Sequence, residues 1–523
     1  MISSPPLAPI RHLREVVGDR LEDVREAEFP KVGARRIILG TAGLAILLGA
    51  IGLFVQPAVG TALVAIGVIP WLWSKPIRGL YLLAGMVALI EQFGLGYPDS
   101  LTDRIPLWLN LNNTAGFPLS ITPFEVLLGV IAIVTAARGY LTGRLHLSFG
   151  RLSPAYYAFA AVLLIGEING LLTGGDFKLS LWELRPQAYG FIVFLLTGAL
   201  VRERRQLVTL GIVFAVAELM KAILGDWRYL ITMGRNLGVH ETLLGHEDSY
   251  FLLLFLVTAL AALAWWRIRR LWIPLVVASP LVALALIANE RRAGILALVI
   301  TLFLLAVLVI RYAKRARKVA IIVCAIAMLG LAGIVATSWN TQYGIRSEIV
   351  SPVRTVLDPG NVSARDLSSD LYRTAENSNL QFTFKLSPII GYGFGKPFLT
   401  PTPMADISQL YSLWNVIPHN SLLWVPMRMG LLGMVTFWGL VGLALMEAIR
   451  GVRTAGDRLL QGVGAFVACA IVGELLFAYA DLQLENPRNM VAWGILLGLV
   501  NVLPRLAARR KGAASLEAID ATP

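Results

Sequence analysis

Apolar runs long enough to cross a bilayer, which takes roughly 20 residues, recur along this chain from residue 37 to residue 504. No other feature limits its fold so strongly. In hydrocarbon every backbone N–H and C=O needs a partner within the protein, so runs of this kind fold as helices. Only 15% of the residues are charged and 56% are hydrophobic, whereas a soluble domain carries about 25% charge. The sequence therefore predicts an all-α, polytopic membrane helix bundle of about 12–14 transmembrane helices and excludes a soluble enzyme.

Fourteen apolar segments are expected, near 37–55, 58–74, 79–94, 121–137, 154–172, 186–201, 206–224, 249–266, 271–288, 293–310, 319–337, 418–449, 459–480 and 489–504. If the N-terminus is cytoplasmic, alternation places 30 of the 46 Lys and Arg in cytoplasmic segments and 14 outside, with Lys221 and Arg428 inside spans. This is the positive-inside bias, and it puts both termini in the cytoplasm. The formal charge of +13 is spent on these short basic clusters, such as Arg202, Arg204 and Arg205. It is not a nucleic-acid surface.

Five regions follow. Residues 1–36 form a cytosolic amphipathic segment, with Leu13, Val16, Val17, Leu21 and Val24 at helical spacing. This segment lacks the features of a secretory signal peptide, so the mature protein is expected to keep it. Residues 37–336 hold helices 1–11, and 337–418 form one large extracytoplasmic, periplasmic loop. Residues 419–504 hold helices 12–14, and 505–523 form a cytosolic tail. Within the large loop, 369–386 has helical character and 386–395 is rich in turn formers.

Polar groups at membrane depth are costly, and Glu91, Glu167, Glu218, Lys221 and Glu474 fall within or near spans. Glu218 and Lys221, three apart on one helix face, are expected to neutralise one another. Glu167 has no such local partner, which leaves a structural hydrogen bond or a proton or substrate site. Cys324 and Cys469 lie in apolar runs and offer neither a disulfide framework nor a zinc motif.

Three outside segments deliver chemistry to one side of the membrane. The first carries Arg228, Arg235, His240, Glu241, His246, Glu247 and Asp248. The second is Asn289-Glu-Arg-Arg-Ala-Gly294, with Arg291 and Arg292 in a tight turn, against the positive-inside bias. Guanidinium groups bind phosphate through paired donors, so Arg291, Arg235 and Arg228 are candidates for a diphosphate or anionic headgroup. The histidine and carboxylate spacing in the first segment matches no recognised zinc motif, and no Asp-x-Asp motif is present; no metal site and no cofactor are expected. His12 and His146 lie on the other side. The third segment opens at His419.

His419-Asn420, nine residues, then Gly430-Leu-Leu-Gly433 matches the His-(Asn/Ser/Gln)-x9-Gly-x-x-Gly signature of the O-antigen ligase and polymerase superfamily. Arg291-Arg-Ala-Gly-Ile-Leu-Ala-Leu298 resembles that family's Ser-Arg-x-Gly-Leu-Leu-Ala-Leu segment, with Arg291 in place of Ser and Arg292 as the key arginine. Ser387-Pro-Ile-Ile-Gly-Tyr-Gly-Phe-Gly395 resembles its Pro-x-x-Gly-x-Gly segment. The resemblance covers residues 230–440, roughly the C-terminal half.

What the resemblance implies is a glycosyltransferase of the inner membrane, with its active site facing the periplasm. It would use an undecaprenyl-diphosphate-linked glycan as donor and a lipid A core or a lipid-linked glycan as acceptor. A single displacement would invert the anomeric configuration. In that chemistry His419 is the expected general base, because a neutral imidazole suits proton removal near pH 7. Arg292 leads the arginines that stabilise the departing diphosphate. Asn420 could hold the imidazole or the helix start, Gly430 and Gly433 could permit close helix packing, and Tyr372, Arg373, Glu376, Tyr392 and Trp414 could line a glycan surface. The alternatives are a transporter or flippase of polyprenyl-diphosphate-linked sugars, or a non-catalytic assembly protein. A flippase predicts cationic groups continuing through the bundle to the cytoplasmic face.

Overall fold

The structure is a computed structural model that describes residues 32–95, 100, 102, 104–112, 120–143, 150–235, 243–266, 268–341, 344–409 and 411–520. The expected amphipathic helix before residue 32, His12, His146, His240 and Glu241 lie outside the described residues. Every one of the fourteen predicted apolar segments is helical. Among the described residues, ten helices are long and apolar enough to cross a membrane. Of the other segments, 79–94 lies in a helix of only 13 residues, and 186–201 lies in a helix that carries Lys178, Glu183 and Arg185 in its first half. The protein is a polytopic all-α membrane protein.

Two compact units divide the chain. The first comprises residues 1–79 and 105–147 and contains α1 (Val32–Val55), α2 (Pro57–Ser74) and α4 (Pro123–Leu141). Gln56 alone joins α1 to α2, and Pro57 begins α2 at a position where its missing N–H costs nothing. The two helices approach closely enough that a Cβ on Gly60 would lie 2.3 Å from the Leu53 backbone nitrogen. At the start of α4, Thr122 and Glu125 form a reciprocal capping box, which satisfies two N–H groups that the helix leaves open.

The second unit comprises residues 80–104 and 148–523. It takes in most of α3 (Ile77–Leu89) and then α5 (Ser153–Leu172), α6 (Phe177–Leu200), α7 (Arg204–Trp227), a π-helical turn (Arg228–Thr232) and α8 (Asp248–Trp265). It continues with α9 (Arg269–Ala288), α10 (Arg292–Tyr312), α11 (Arg317–Ser338), α12 (Ile345–Leu357), α13 (Ala364–Leu386), α14 (Ser421–Thr454), α15 (Arg458–Ala480) and α16 (Pro487–Asp520). The span of α8 is 83% buried and that of α16 78%, against 28% for α9 and 39% for α10. α8 and α16 are therefore central, and α9 and α10 turn apolar side chains outward, as helices facing lipid do. The large connection between α11 and α14 folds into α12 and α13, and α13 packs on α14.

Buried ion pairs tie these helices together. Lys221 pairs with Glu91 and lies 3.5 Å from Asp248, so its partners come from the segment just after α3 and from α8. The neutralisation expected from Glu218 is corrected accordingly: neither Glu218 oxygen has a hydrogen-bond partner. Helix periodicity reports which residues share a face, and here a neighbouring helix offered Lys221 a nearer carboxylate. Glu167 accepts a hydrogen bond from Ser180 at 2.7 Å, the structural alternative. Arg488, which opens α16, is sealed between Glu247 (2.8 Å) and Asp248 (2.6 Å).

Candidate active site

The site is built on a break in α14. At Gly430 the backbone leaves helical geometry, with φ 63° and ψ −157°. The segment 388–393 enters the gap and takes the freed backbone groups: Leu431 N donates to Pro388 O at 2.8 Å, Tyr392 N to Met427 O at 2.8 Å and Gly393 N to Arg428 O at 3.0 Å. A Cβ on Gly391, whose φ is 83°, would lie 2.2 Å from the Arg428 carbonyl oxygen. The expectation that Gly430 serves close helix packing is thus corrected. Its freedom is used for a positive φ and for contact with an inserted loop, so the two glycine motifs of the sequence are one structural device. Arg428 completes it, donating to Glu183 at 2.6 Å and to the carbonyls of Gly393, Lys396 and Val416.

This device fixes the start of α14, where His419 stands. Asn420 is the N-cap, its Oδ1 accepting from Leu423 N at 3.1 Å while its Nδ2 donates to Asn377 at 3.0 Å. His419 faces α13 through Glu376, which is fully buried. One Glu376 oxygen accepts from the His419 backbone N–H at 3.0 Å and the other lies 3.1 Å from Nδ1. A carboxylate at Nδ1 keeps the proton of a neutral ring there and leaves the Nε2 lone pair free to act as a base. The Tyr372 ring meets the imidazole edge-on at 5.7 Å between centroids, and its buried hydroxyl has no hydrogen-bond partner. Burial, with Glu376 and Asp406 nearby, pushes that hydroxyl above the usual tyrosine range.

The adjacent arginines Arg291 and Arg292 have different surroundings. Arg292 grips α13: its two terminal nitrogens donate to the Asp370 carboxylate at 2.9 and 2.8 Å, one of them also to Thr355 Oγ1 at 2.8 Å. Beside it Glu290 pairs with Arg365, so the turn before α10 holds α13 at two points. Arg291 has no side-chain hydrogen bond or ion pair among the described residues, and its Nε is buried without a partner. Burial lowers its pKa. Asp481 and Glu247 nearby counter that shift, while Arg373 and Arg365 reinforce it. Arginine stays charged throughout. Arg373, one helical turn from Glu376 on α13, likewise has no hydrogen bond or ion pair among the described residues.

A second carboxylate gathers the cluster. Asp481 follows α15, and His246 Nδ1 lies 3.0 Å from its Oδ2. Burial alone would raise Asp481, but His246, His419 and Arg373 together hold it well below the usual carboxylate range. Thus His419 and Tyr372, named from separate stretches of sequence, meet at Glu376, and Arg373 and Arg291 lie within electrostatic reach of Asp481. Residues 280–438 match the O-antigen ligase family. The matched segment runs from the middle of α9 past the break in α14 and holds Arg291, Arg373, Glu376 and His419. Its match supports the O-antigen ligase and polymerase superfamily, and glycosyltransferase-like activity in general, for this membrane protein. No curated protein matches the chain.

Other sequence candidates have no described contact with this cluster. Arg228 is fully buried in the π-helical turn, and Arg235 is exposed on a left-handed turn with φ 65°. Trp414 is half-buried and makes no described side-chain hydrogen bond to the cluster. Among the described residues, no three His, Cys, Asp or Glu are grouped to hold a metal ion. Sequence reasoning missed Asp481, which looks like any span-end aspartate, and left Glu376 among general loop candidates. The one local signal for Glu376 is its spacing, four residues after Tyr372 and three after Arg373 on a single helix face.

Proposed function

We propose that this protein transfers a glycan from undecaprenyl diphosphate to an acceptor hydroxyl, as an O-antigen ligase or surface-polysaccharide polymerase on the periplasmic face of the inner membrane, without a metal ion. The observation that carries this reading is the His419–Glu376 pair beside Asp481, a carboxylate within electrostatic reach of His419, Arg291 and Arg373, the last two being guanidinium groups without partners among the described residues. Two cations held close together are stabilised by an anion of matching charge, and a diphosphate supplies it.

His419 Nε2 takes the acceptor proton as the hydroxyl oxygen attacks C1. The C1–O bond breaks on the opposite side, inverting the carbon, and its electron pair leaves on the diphosphate between Arg291 and Arg373. Glu376 orients the ring and stabilises the imidazolium that forms. Preorganised charge in a water-poor site favours the transition state over the substrate. Arg292, already bound to Asp370, acts by holding α13, and with it Tyr372, Arg373 and Glu376, against His419.

The test uses purified protein, a fluorescent undecaprenyl-diphosphate glycan and EDTA, with lipid A core and lipid-linked repeats supplied separately. Turnover is expected with one acceptor, and His419→Ala is expected to lower it about 100- to 10,000-fold, the usual range for a general base. The productive acceptor then names ligase or polymerase. Absence of transfer to either acceptor would sink the reading, and loss of turnover in EDTA would remove its metal-free part.

A further inference from the structure

His246 lies outside the O-antigen ligase segment and has no part in the mechanism above. We propose that it is a second catalytic histidine: its imidazolium, held by Asp481, donates a hydrogen bond through Nε2 to the leaving diphosphate. The proposal rests on the transferase reading.

The geometry is that of an accessible ring on a buried anchor. The His246 side chain is 45% exposed and that of Asp481 10%, with Nδ1 and Oδ2 3.0 Å apart. Nδ1 is engaged by Asp481, and Nε2 has no hydrogen bond among the described residues. Asp481 is itself fixed to the start of α14. Ser421 Oγ lies 3.3 Å from the Asp481 carbonyl and accepts from Gln483 N at 2.9 Å, and Ser421 is two residues beyond His419. The same carboxylate feels His419 and Arg373, and Arg291 feels Asp481. The two imidazoles and two free guanidinium groups therefore share one anionic neighbour.

The neighbours on His246's own segment are already committed. Glu247 and Asp248 both bind Arg488, which leaves Asp481 as the carboxylate that answers to His246. The charged groups around this segment are the carboxylates Asp481, Glu247 and Asp248 and, through Asp481, the cations Arg291 and Arg373. In the transfer step, the acceptor O–H proton passes to His419, the new O–C1 bond forms, and the C1–O bond to phosphate breaks with its electron pair on the diphosphate. The His246 proton stays on nitrogen. Catalysis then needs His419 neutral and His246 charged, which gives a bell-shaped pH profile whose alkaline limb belongs to His246.

The experiment compares wild type, His419→Ala and His246→Gln, which keeps a donor but no charge. His246→Gln is expected to lower kcat about 100-fold and to abolish the alkaline limb while keeping the acidic one. Binding of inorganic pyrophosphate supplies a readout independent of turnover: the variant-to-wild-type ratio of Kd is expected to be about tenfold at pH 6 and to approach one at pH 9. A wild-type kcat with both limbs intact in His246→Gln, or a Kd ratio of one at pH 6, would overturn the proposal while His419→Ala stays inactive. An inactive wild type would overturn the transferase reading and this inference with it.

Discussion

The arginines of the helix core and those of the cluster are the same residue in opposite situations. Arg428 and Arg488 are fully buried, and each spends its donors on carboxylates and carbonyl oxygens from distant parts of the chain: Glu183, Gly393, Lys396 and Val416 for the first, Glu247, Asp248 and Val87 for the second. Arg291 and Arg373 lie among charges and have no such partners among the described residues. A guanidinium that is already satisfied holds a fold together. One that is not is available to a ligand, and the difference lies entirely in what surrounds it.

Four experiments would break or sharpen this contrast. Arg428→Ala leaves Glu183 as a buried charge without its cation and frees the 388–393 insertion, so a loss of about 3–5 kcal/mol is expected. Thermal unfolding in detergent would read it, and an unchanged Tm would place Arg428 with the ligand-binding arginines instead. Arg291→Ala and Arg373→Ala should each cut transfer about 100-fold while Tm holds or rises, because each removes a cation repelled by its neighbour. A Tm drop like that of Arg428→Ala would erase the distinction.

Arg292 stands between the two classes. Arg292→Asp and Asp370→Arg are each expected to impair kcat/KM, and their combination to recover about 10-fold or more over either alone, since a bonded charge pair couples by roughly 1–3 kcal/mol. An arginine acting on the diphosphate itself would give no recovery. The smallest effect concerns Glu485, which accepts from Ser421 Oγ at 2.5 Å. Burial pushes its carboxyl up to about 8, against the hydrogen bond from Ser421. A carboxyl raised by folding binds its proton more tightly folded than unfolded, so stability falls as pH rises from about 4.5 to 8. Glu485→Gln should therefore match wild type near pH 4.5 and be the more stable of the two at pH 8.5. Equal Tm values at pH 8.5 would show that Glu485 is already ionised.

Particular residues show how far the sequence reached. The helices at 154–172 and 459–480 were legible because an apolar run that long has one low-cost conformation in lipid. His419, Gly430 and the 387–395 segment were legible as motifs, but their mechanical relation was not. Gly430 at φ 63° admits the 388–393 backbone, a contact across some forty residues that no periodicity records. Lys221 shows the same limit: spacing pointed to Glu218, and the structure supplied Glu91 and Asp248.

By itself the sequence determined an all-α membrane protein, its helical segments and the motifs that align with the O-antigen ligase family. These are local properties, set by hydropathy over about 20 residues and by the need to satisfy backbone hydrogen bonds where water is absent. Only the tertiary structure decided which arginine is tied and which is free, that Glu376 stands behind His419, and that Asp481 brings His246 to the same place. Those pairings depend on the relative placement of α8, α10, α13, α14 and the turn after α15. At that scale a charge takes whichever partner packing brings nearest, and sequence distance carries no information about it.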